Sequence, residues 1–171
     1  MNDGPREGVG ALRLVSGGQT GVDRAALDAA LALGLPCGGW CPAGRRAEDG
    51  AIAARYPLRE TPAADPAQRT GWNVRDSDAT LLLCPRGVSS PGTEWTQRCA
   101  ERLGRPWHRA APEPDALHDA ARWLAAQAPA VLNVAGPRES EAPGVYAAAR
   151  TWLEALLGET RRRAPILRAP I

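Results

Sequence analysis

The stretch from Ser16 to Arg24, with the sequence SGGQTGVDR, constrains the fold of this chain more than any other. An apolar run at 11–15 leads into it, and an alanine- and leucine-rich segment at 22–33 leads out. We interpret this order as a strand, a glycine-rich turn and the start of a helix. Such a turn presents unpaired backbone N–H groups at the positive end of a helix dipole, which suits an anion such as phosphate. The alternative is a tight strand-to-helix turn without a ligand.

The glycines of this turn favour close approach of a ligand to the backbone. Gly17, Gly18 and Gly21 lack Cβ atoms, so the backbone there can adopt positive φ angles. Ser16 and Thr20 can add hydroxyl donors. The spacing matches neither GxGxxG nor a Walker A loop, which ends in Gly-Lys-Ser/Thr. The turn therefore indicates an anion site without identifying its ligand.

Two further apolar runs end in similar turns. The run at 79–84 is continuously apolar, as in a central strand that is buried on both faces of a parallel sheet, and the turn 85–93 follows it. The run at 131–134 opens into the turn 135–140. Shorter strands are predicted at 35–39 and 106–108, and helices at 22–33, 65–76, 93–103, 115–127 and 143–157. This alternation predicts an α/β fold with a parallel sheet and right-handed crossovers.

The length of 171 residues predicts a single domain. We place it at 11–157, after a flexible N-terminus at 1–10 and before a basic C-terminal tail at 158–171. In a parallel sheet all strand-to-helix turns lie at the carboxyl edge, where ligands bind at the reversal of strand order. Three glycine-bearing turns at one edge therefore predict an anionic, phosphorylated small ligand.

The phosphate contacts are expected mainly from backbone N–H groups at 17–22 and 90–94. Arg24, Arg86 and Arg138 are the cationic candidates, because a guanidinium group matches phosphate oxygens in bidentate fashion. Each of these arginines can equally be an ordinary surface residue.

The segment 40–50, WCPAGRRAEDG, is long for a structural connection, and long loops in compact domains are often functional. Arg45 and Arg46 can face an anion, and Glu48 and Asp49 can pair with them. A solvated charged loop is the alternative.

Three tryptophans adjoin the predicted site segments: Trp40, Trp72 and Trp95. A purine or pterin ring would stack well on such side chains. Because the chain contains no Phe, packing in the core is the alternative role for these rings.

The composition excludes several classes of protein. The net charge of +2 is too small to imply a nucleic-acid-binding protein, and no apolar run approaches the ~20 residues of a membrane span. The N-terminus lacks a signal sequence, so we expect a cytoplasmic protein without membrane or nucleic-acid partners. The four cysteines show no zinc-site spacing and are expected to be reduced and mostly buried.

Catalytic groups are harder to find in this sequence. His118 falls inside a predicted helix, which favours a structural role. The carboxylates nearest the predicted edge are Asp23, Asp76, Glu94 and Glu139. A buried carboxyl with a raised pKa can act as a general base, whereas Asp23 and Glu94 at helix starts also simply complement the dipole.

Four motifs resemble the signature of the molybdenum carrier (molybdenum cofactor carrier-like) family. They are SGGQTGVDRAALD at 16–28, GGWCPAGRRAEDG at 38–50, WNVRDSD at 72–78 and LNVAGPRES at 132–140. The resemblance covers about residues 11–157. It implies a Rossmann-like three-layer α/β/α sandwich with a mostly parallel sheet. The wider group includes the lysine-decarboxylase-like (LOG) phosphoribohydrolases and the DprA/Smf proteins.

Some members of this family are described as binding and protecting the molybdenum cofactor, a pterin (molybdopterin) with a terminal phosphate, and such carriers are oligomeric. The resemblance therefore implies a non-catalytic homo-oligomer, a dimer or tetramer, that binds the molybdenum cofactor or a nucleotide. The expected binding residues are Gly17, Gly18, Gln19, Thr20, Gly21, Arg24, Trp40, Arg45, Asn73, Arg86, Ser89, Ser90, Gly92, Thr93, Glu94, Gly136 and Arg138.

The alternative is a phosphoribohydrolase that cleaves the N-glycosidic bond of a nucleotide. Those enzymes carry a PGGxGTxxE motif, and the corresponding stretch here is SSPGTEWTQ at 89–97. Aligned on the shared Gly92-Thr93, the motif's glutamate position holds no glutamate in this chain, and Glu94 points to a different helical face. Glu94, with Arg24 or Arg138, is the catalytic candidate under this alternative. A nucleotide sensor is a third hypothesis, for which the sequence offers no partner motif.

Overall fold

A parallel sheet of five strands forms the centre of the protein in a computed structural model, which describes residues 11–163. In chain order the elements are β1 (Arg13–Val15), α1 (Val22–Ala32), β2 (Cys37–Gly38), β3 (Trp40–Cys41), β4 (Arg46–Ala47), β5 (Gly50–Ala51), β6 (Arg59–Glu60), α2 (Pro66–Arg75), β7 (Ala79–Leu83), α3 (Pro91–Arg102), β8 (Trp107–Ala110), a 3-10 turn (Pro114–Ala116), α4 (Leu117–Gln127), β9 (Val131–Ala135) and α5 (Val145–Arg163). The predicted flexible N-terminus, and residues 164–171 of the predicted tail, lie outside the described residues.

The strand order in the central sheet is β2-β1-β9-β7-β8, and all neighbouring strands are parallel. Leu14 of β1 pairs with Cys37 on one side and Leu132 on the other. Leu81 of β7 pairs with Val134 of β9 and with His108 of β8. The chain therefore reverses its direction of growth between β1 and β7, and its last strand fills the gap between them.

Helices cover both faces of the sheet, which confirms the Rossmann-like three-layer architecture. On one face α1, α4 and α5 share the main apolar core with Leu14, Leu81 and Leu132 from the strands. On the other face α2 packs against α3 over a smaller cluster, in which Val74 and Cys99 are buried. The main core is built largely from Leu, Val and Ala, because the chain has no Phe.

The local signal for α2 works as the sequence indicates, whereas α3 begins at Pro91, two residues before the expected start at 93, because Ser90 caps it. Asp65 caps α2, and its side chain accepts a hydrogen bond from the Ala67 amide at 2.9 Å, with Pro66 in the first turn. Ser90 caps α3 in the same way, accepting from the amide of Thr93 at 3.4 Å. Because both helices run antiparallel to the strands they adjoin, both capped ends lie at the carboxyl edge of the sheet.

Two features differ from the sequence-based expectation. Helix α5 continues to Arg163, beyond Leu157, since Glu159 and the arginines at 161–163 have favourable helix propensities. The segment 40–50 is not a plain loop, since β3 pairs with β6 and β4 pairs with β5. The four cysteines are free and buried, as predicted.

None of the helices within residues 11–163 combines the length and the apolar character that a bilayer crossing requires.

The central position of β9 can be tested with two leucines. Leu132 is 0% exposed and Leu103 is 49% exposed. We expect Leu132→Ala to lower the free energy of unfolding by about 2–5 kcal/mol, because it leaves a cavity in the core. Leu103→Ala should lower it by less than about 0.5 kcal/mol. Urea denaturation followed by circular dichroism measures both, and equal losses would contradict this assignment.

Candidate functional site

A cleft of about 350 Å³ opens at the carboxyl edge of the sheet. It lies where the strand order reverses, between the turns that follow β1, β7 and β9, and the first turns of α2 and α3 form its wall. The lining residues are Gly17, Gln19, Asp23, Pro66, Ala67, Arg69, Thr70, Asn73, Ser90, Pro91, Gly92, Trp95, Thr96, Asn133, Ala135, Gly136, Arg138 and Glu141.

The structure brings part of the predicted binding set together in this cleft. The predicted residues that line it are Gly17, Gln19, Asn73, Ser90, Gly92, Gly136 and Arg138. The predicted residues that do not line it are Gly18, Thr20, Gly21, Arg24, Trp40, Arg45, Arg86, Ser89, Thr93 and Glu94.

A buried ion pair between Asp23 and Arg69 crosses the first glycine turn. The Asp23 Oδ2 atom accepts from Arg69 Nη1 at 2.7 Å and from the Gln19 amide at 3.4 Å. The side chains of Arg69 and Asp23 are only 12% and 6% exposed. The guanidinium lies against Gly17, where a Cβ would stand 1.4 Å from Arg69 Nη1. Gly17 is therefore required so that an arginine from α2 can lie on the turn.

Two buried polar side-chain atoms lack a hydrogen-bond partner in the part of the chain that the structure describes: Arg69 Nε and Thr93 Oγ1. Such atoms are rare in folded proteins, and each calls for an explanation. Arg69 lines the cleft, and Thr93 follows the cleft-lining Gly92 in the first turn of α3. Arg69 therefore borders the cleft, whereas the Thr93 hydroxyl lies buried behind the lining.

Arg69 is a cleft residue that the sequence pattern did not predict. The signal that could have found it is topological: α2 precedes the parallel strand β7, so its first turn must lie at the carboxyl edge. The Asp65-Pro66 start of α2 was recognised, and Arg69 lies in that first turn. Trp95 was among the predicted ring-stacking residues and does line the cleft.

The turn after β9 contributes a second pair of opposite charges, Arg138 and Glu141. Glu141 Oε2 accepts from the Arg138 amide at 2.8 Å, and Glu141 Oε1 lies 3.4 Å from Arg138 Nη2. The Ser90 hydroxyl also donates to Glu141 Oε2, at 3.1 Å. Glu141 therefore joins this turn to the cap of α3.

The approach of the turns to each other explains two predicted glycines. A Cβ at Gly136 would stand 2.1 Å from the Leu83 carbonyl oxygen. A Cβ at Gly21, whose φ is 76°, would stand 2.4 Å from the Pro137 carbonyl oxygen. Both glycines allow close packing of turns, and this role requires no ligand contact.

Several predicted cations are engaged with other parts of the protein. Arg45 donates to the backbone carbonyls of Ile52, Ala53, Tyr56 and Leu58, at 2.9–3.2 Å. It fixes the loop before β6 and has few donors left for an anion.

Arg24 and Arg86 are also occupied. Arg24 binds Asp49 at 2.8 Å, and this hydrogen bond holds the pKa of the Asp49 carboxyl below its usual value. Arg86 pairs with Glu113 at 3.1 Å and Asp115 at 2.5 Å, beside a separate cavity of about 380 Å³ at the ends of β7 and β8.

Glu48 does not pair with Arg45 or Arg46, and that expectation was wrong. Its carboxylate accepts from the hydroxyl of Thr20 and from the hydroxyl and amide of Ser140, so Thr20 is also engaged. These hydrogen bonds, first that of the Ser140 hydroxyl, lower the pKa of Glu48. The tip of the 40–50 segment thus contacts the first and third turns.

Asn73 lines the cleft, but its amide group binds the backbone of Trp40. Asn73 Oδ1 accepts from the Trp40 amide at 2.8 Å, and Asn73 Nδ2 donates to the Trp40 carbonyl at 3.0 Å. The Trp40 indole donates to Asp76 Oδ2 at 2.8 Å and packs edge-on against Trp72. A hydrogen bond from Arg75 and then that from Trp40 lower the pKa of Asp76.

The carboxylate proposed for hydrolysis lies away from the cleft. Glu94 is exposed, and Ser89 donates to its Oε1 at 3.4 Å. Gln97, in the next turn of α3, donates to Glu101 at 3.0 Å. The carboxylates that do line the cleft, Asp23 and Glu141, are both paired with arginine.

The packing of Arg69 on the turn predicts the effect of a single methyl group. Gly17→Ala should displace Arg69 and lower the free energy of unfolding by about 1–3 kcal/mol, because buried Asp23 loses its partner. Gly71→Ala is the matched control, since a Cβ there has no atom within 4 Å. It lies inside α2 and should stabilise by about 0.5–1 kcal/mol. Thermal or urea unfolding measures the free energy of unfolding of both variants. Equal values for the two would contradict the assigned role of Gly17.

The chain matches both a known protein family and a solved structure. Residues 14–157 match the model of the circularly permutated YpsA SLOG family. The fold is similar to the crystal structure of a protein from Syntrophus aciditrophicus SB named "Putative molybdenum carrier protein". The two sequences are 40% identical over 86% of this chain and 95% of that chain, with a TM-score of 0.80. No curated protein matches the chain. The chain belongs to the circularly permutated YpsA SLOG family.

Proposed function

We propose that this protein binds a phosphorylated heterocyclic ligand, the molybdenum cofactor or a nucleotide, in the cleft between the three turns. The observation that carries the proposal is the Arg69 guanidinium, which lies on the glycine turn with its Nε buried and without a partner. A phosphate oxygen is a strong acceptor for such a donor, and the planar guanidinium also suits bidentate contact.

The surroundings of Arg69 favour an anionic group. Arg138 lines the same cleft from the turn after β9. The first turn of α3 adds the Gly92 amide, which has no acceptor within its own helix, and the positive end of the helix dipole. The orphaned Thr93 hydroxyl lies in that same turn. A phosphate between α2 and α3 would thus meet donors from both helices.

The rest of the cleft suits a flat ring. Trp95 forms part of its wall, and its indole also donates weakly to the Ala67 carbonyl, at 3.5 Å. Asn133 is buried in β9 with its Nδ2 donating to Thr80 at 3.3 Å, and it offers an amide to the cleft floor. A volume of about 350 Å³ falls in the range of small-molecule sites.

The choice of the molybdenum cofactor as a candidate is supported by the name of the 40% identical relative. The lining residues fit a phosphorylated pterin through Arg69, Arg138 and Trp95, and no cluster of three metal-ligating side chains occurs among residues 11–163. In this role the bound cofactor carries the molybdenum, and the protein holds its phosphate and shields its ring. A cytoplasmic homo-oligomer without nucleic-acid partners stays a prediction from the sequence.

The binding test compares arginines inside and outside the cleft. Wild-type protein should be stabilised by at least one of a panel of nucleoside monophosphates and diphosphates, molybdate and molybdenum cofactor, by about 2.7 kcal/mol at 100 times Kd. Arg69→Gln and Arg138→Gln should each weaken that binding at least about tenfold, because each removes a charged contact. Thermal-shift and calorimetric titrations measure both effects.

The control for charge is Arg122→Gln, an exposed arginine on α4, which should bind like wild type. Because Arg69→Gln leaves Asp23 buried without its partner, Asp23→Asn/Arg69→Gln serves as the variant without a stranded charge. Absence of stabilisation by every ligand in the panel would refute the proposal. Release of free base from a nucleoside monophosphate, lost in Glu94→Gln, would favour the hydrolase instead.

A further inference from the structure

The hairpin of β4 and β5, residues 46–51, contacts the edge of the cleft through the carboxylates of Glu48 and Asp49 at its tip. We call this hairpin the acidic strap. It consists of two paired rungs, Arg46 with Ala51 and Ala47 with Gly50. None of its residues is fully buried, and only Ala47 packs in part against the core. The strap is therefore held mainly by the polar contacts of its tip, Glu48 and Asp49.

Glu48 occupies a set of donors that belongs to the edges of the cleft. Its carboxylate accepts from the Thr20 hydroxyl, from the Ser140 amide at 3.1 Å and from the Ser140 hydroxyl at 2.5 Å. The Arg138 Nε atom lies 4.0 Å away. Two hydroxyls, a backbone amide and a guanidinium are the donors that would bind a phosphate oxygen equally well.

Asp49 covers the neighbouring cation in the same manner. Its two oxygens lie 2.8 and 3.2 Å from the Arg24 guanidinium. Adjacent carboxylates of the strap thus cover Thr20 and Arg24, two residues that the sequence pattern assigns to ligand binding. Because Arg138 lines the cleft, this covered set is continuous with the site proposed above.

We propose that the acidic strap is an autoinhibitory anion: its tip covers a second oxyanion subsite formed by Thr20, Arg24, Arg138 and Ser140, and a second phosphate of a diphosphate-bearing ligand displaces it. The inference rests on the proposed function for the first phosphate, which Arg69 binds.

The covered donors keep their positions when the tip leaves. The Thr20 hydroxyl also accepts from the Glu139 amide at 3.2 Å, and Arg24 also donates to the Gly18 carbonyl at 3.1 and 3.3 Å. The strap itself is weakly held, because no residue of 46–51 is buried and segments without buried side chains unfold locally. The donors of Thr20 and Arg24 are therefore fixed, while the strap that covers them is held weakly. Such an arrangement lets a phosphate replace the strap carboxylates.

The test uses inorganic pyrophosphate as the probe in calorimetric titrations. Glu48→Gln/Asp49→Asn removes both covering charges and should bind pyrophosphate about tenfold more tightly than wild type. Glu101→Gln/Glu154→Gln removes the same net charge from α3 and α5, away from the strap, and should bind like wild type. Equal gains in both double variants, or no gain in the strap variant, would overturn the inference.

Hydrogen exchange provides a second readout, which a merely structural strap would not change. The Glu48 amide donates to Gln19 Oε1 at 2.9 Å, so it reports whether the tip is attached. Pyrophosphate should speed exchange at this amide in wild-type protein, although ordinary ligand binding protects amides. Slower or unchanged exchange would overturn the inference.

The two proposals fail in different ways. If ligands of the panel bind through Arg69 but the strap variant gains nothing, the strap inference is wrong and the proposed function stands. If the strap variant gains affinity while Arg69→Gln changes nothing, the proposed binding of a first phosphate by Arg69 is wrong, and only the covering of an anion subsite by the strap stands. Absence of pyrophosphate binding in every variant refutes the strap inference.

Discussion

The ion pair of Asp23 and Arg69 is the interaction on which the carboxyl edge depends. It joins α1, on one face of the sheet, to α2, on the other, across the first glycine turn. A buried ion pair contributes little net stability, because desolvation offsets much of the attraction, while loss of one partner is costly. This pair also leaves Arg69 Nε unsatisfied. An arrangement optimised for stability alone would have satisfied or removed that donor, so the pair is better explained by what Arg69 can bind.

The strand order makes the cleft depend on distant parts of the chain. The first strand, β1, and the later strand β7 do not touch, and β9, the last strand, lies between them. The turn after β9 supplies Gly136, Arg138 and Glu141, so the site is complete only when the end of the domain has folded into the middle of the sheet. The small residues at Gly21 and Gly136 belong to this constraint, because the three turns must pass within contact distance of one another.

Much of the fold follows from the sequence, because alternating apolar runs and helical segments specify a parallel sheet whatever the details of its turns. The glycine turn, the cap of α2 and the continuous run of β7 were all recognisable from short-range pattern, whereas the Ser90 cap of α3 was missed. The site was predicted less completely. Residue type identifies Thr20, Arg24 and Arg45 as donors, but it does not tell which acceptor of the protein lies nearest. In the structure each of the three donates to an acceptor within the protein. Arg69 was missed because its importance arises only from the approach of α2 to Gly17.

The charges at this edge suggest how a ligand competes with the protein itself. Arg138 and Arg24 each contact a carboxylate of the same chain, so a phosphate that bound these two arginines would replace internal anions. At Arg69 the proposed phosphate would instead meet the Nε that the ion pair leaves without a partner. A phosphate group carries up to two charges and three acceptor oxygens, which gives it an advantage over a single carboxylate at the same donors. Hydrogen bonds from Ser140 and Thr20 lower the pKa of Glu48, and that from Arg24 lowers the pKa of Asp49. Both strap carboxylates therefore stay ionised at neutral pH, and the proposed displacement of the strap would be driven by another anion and not by protonation.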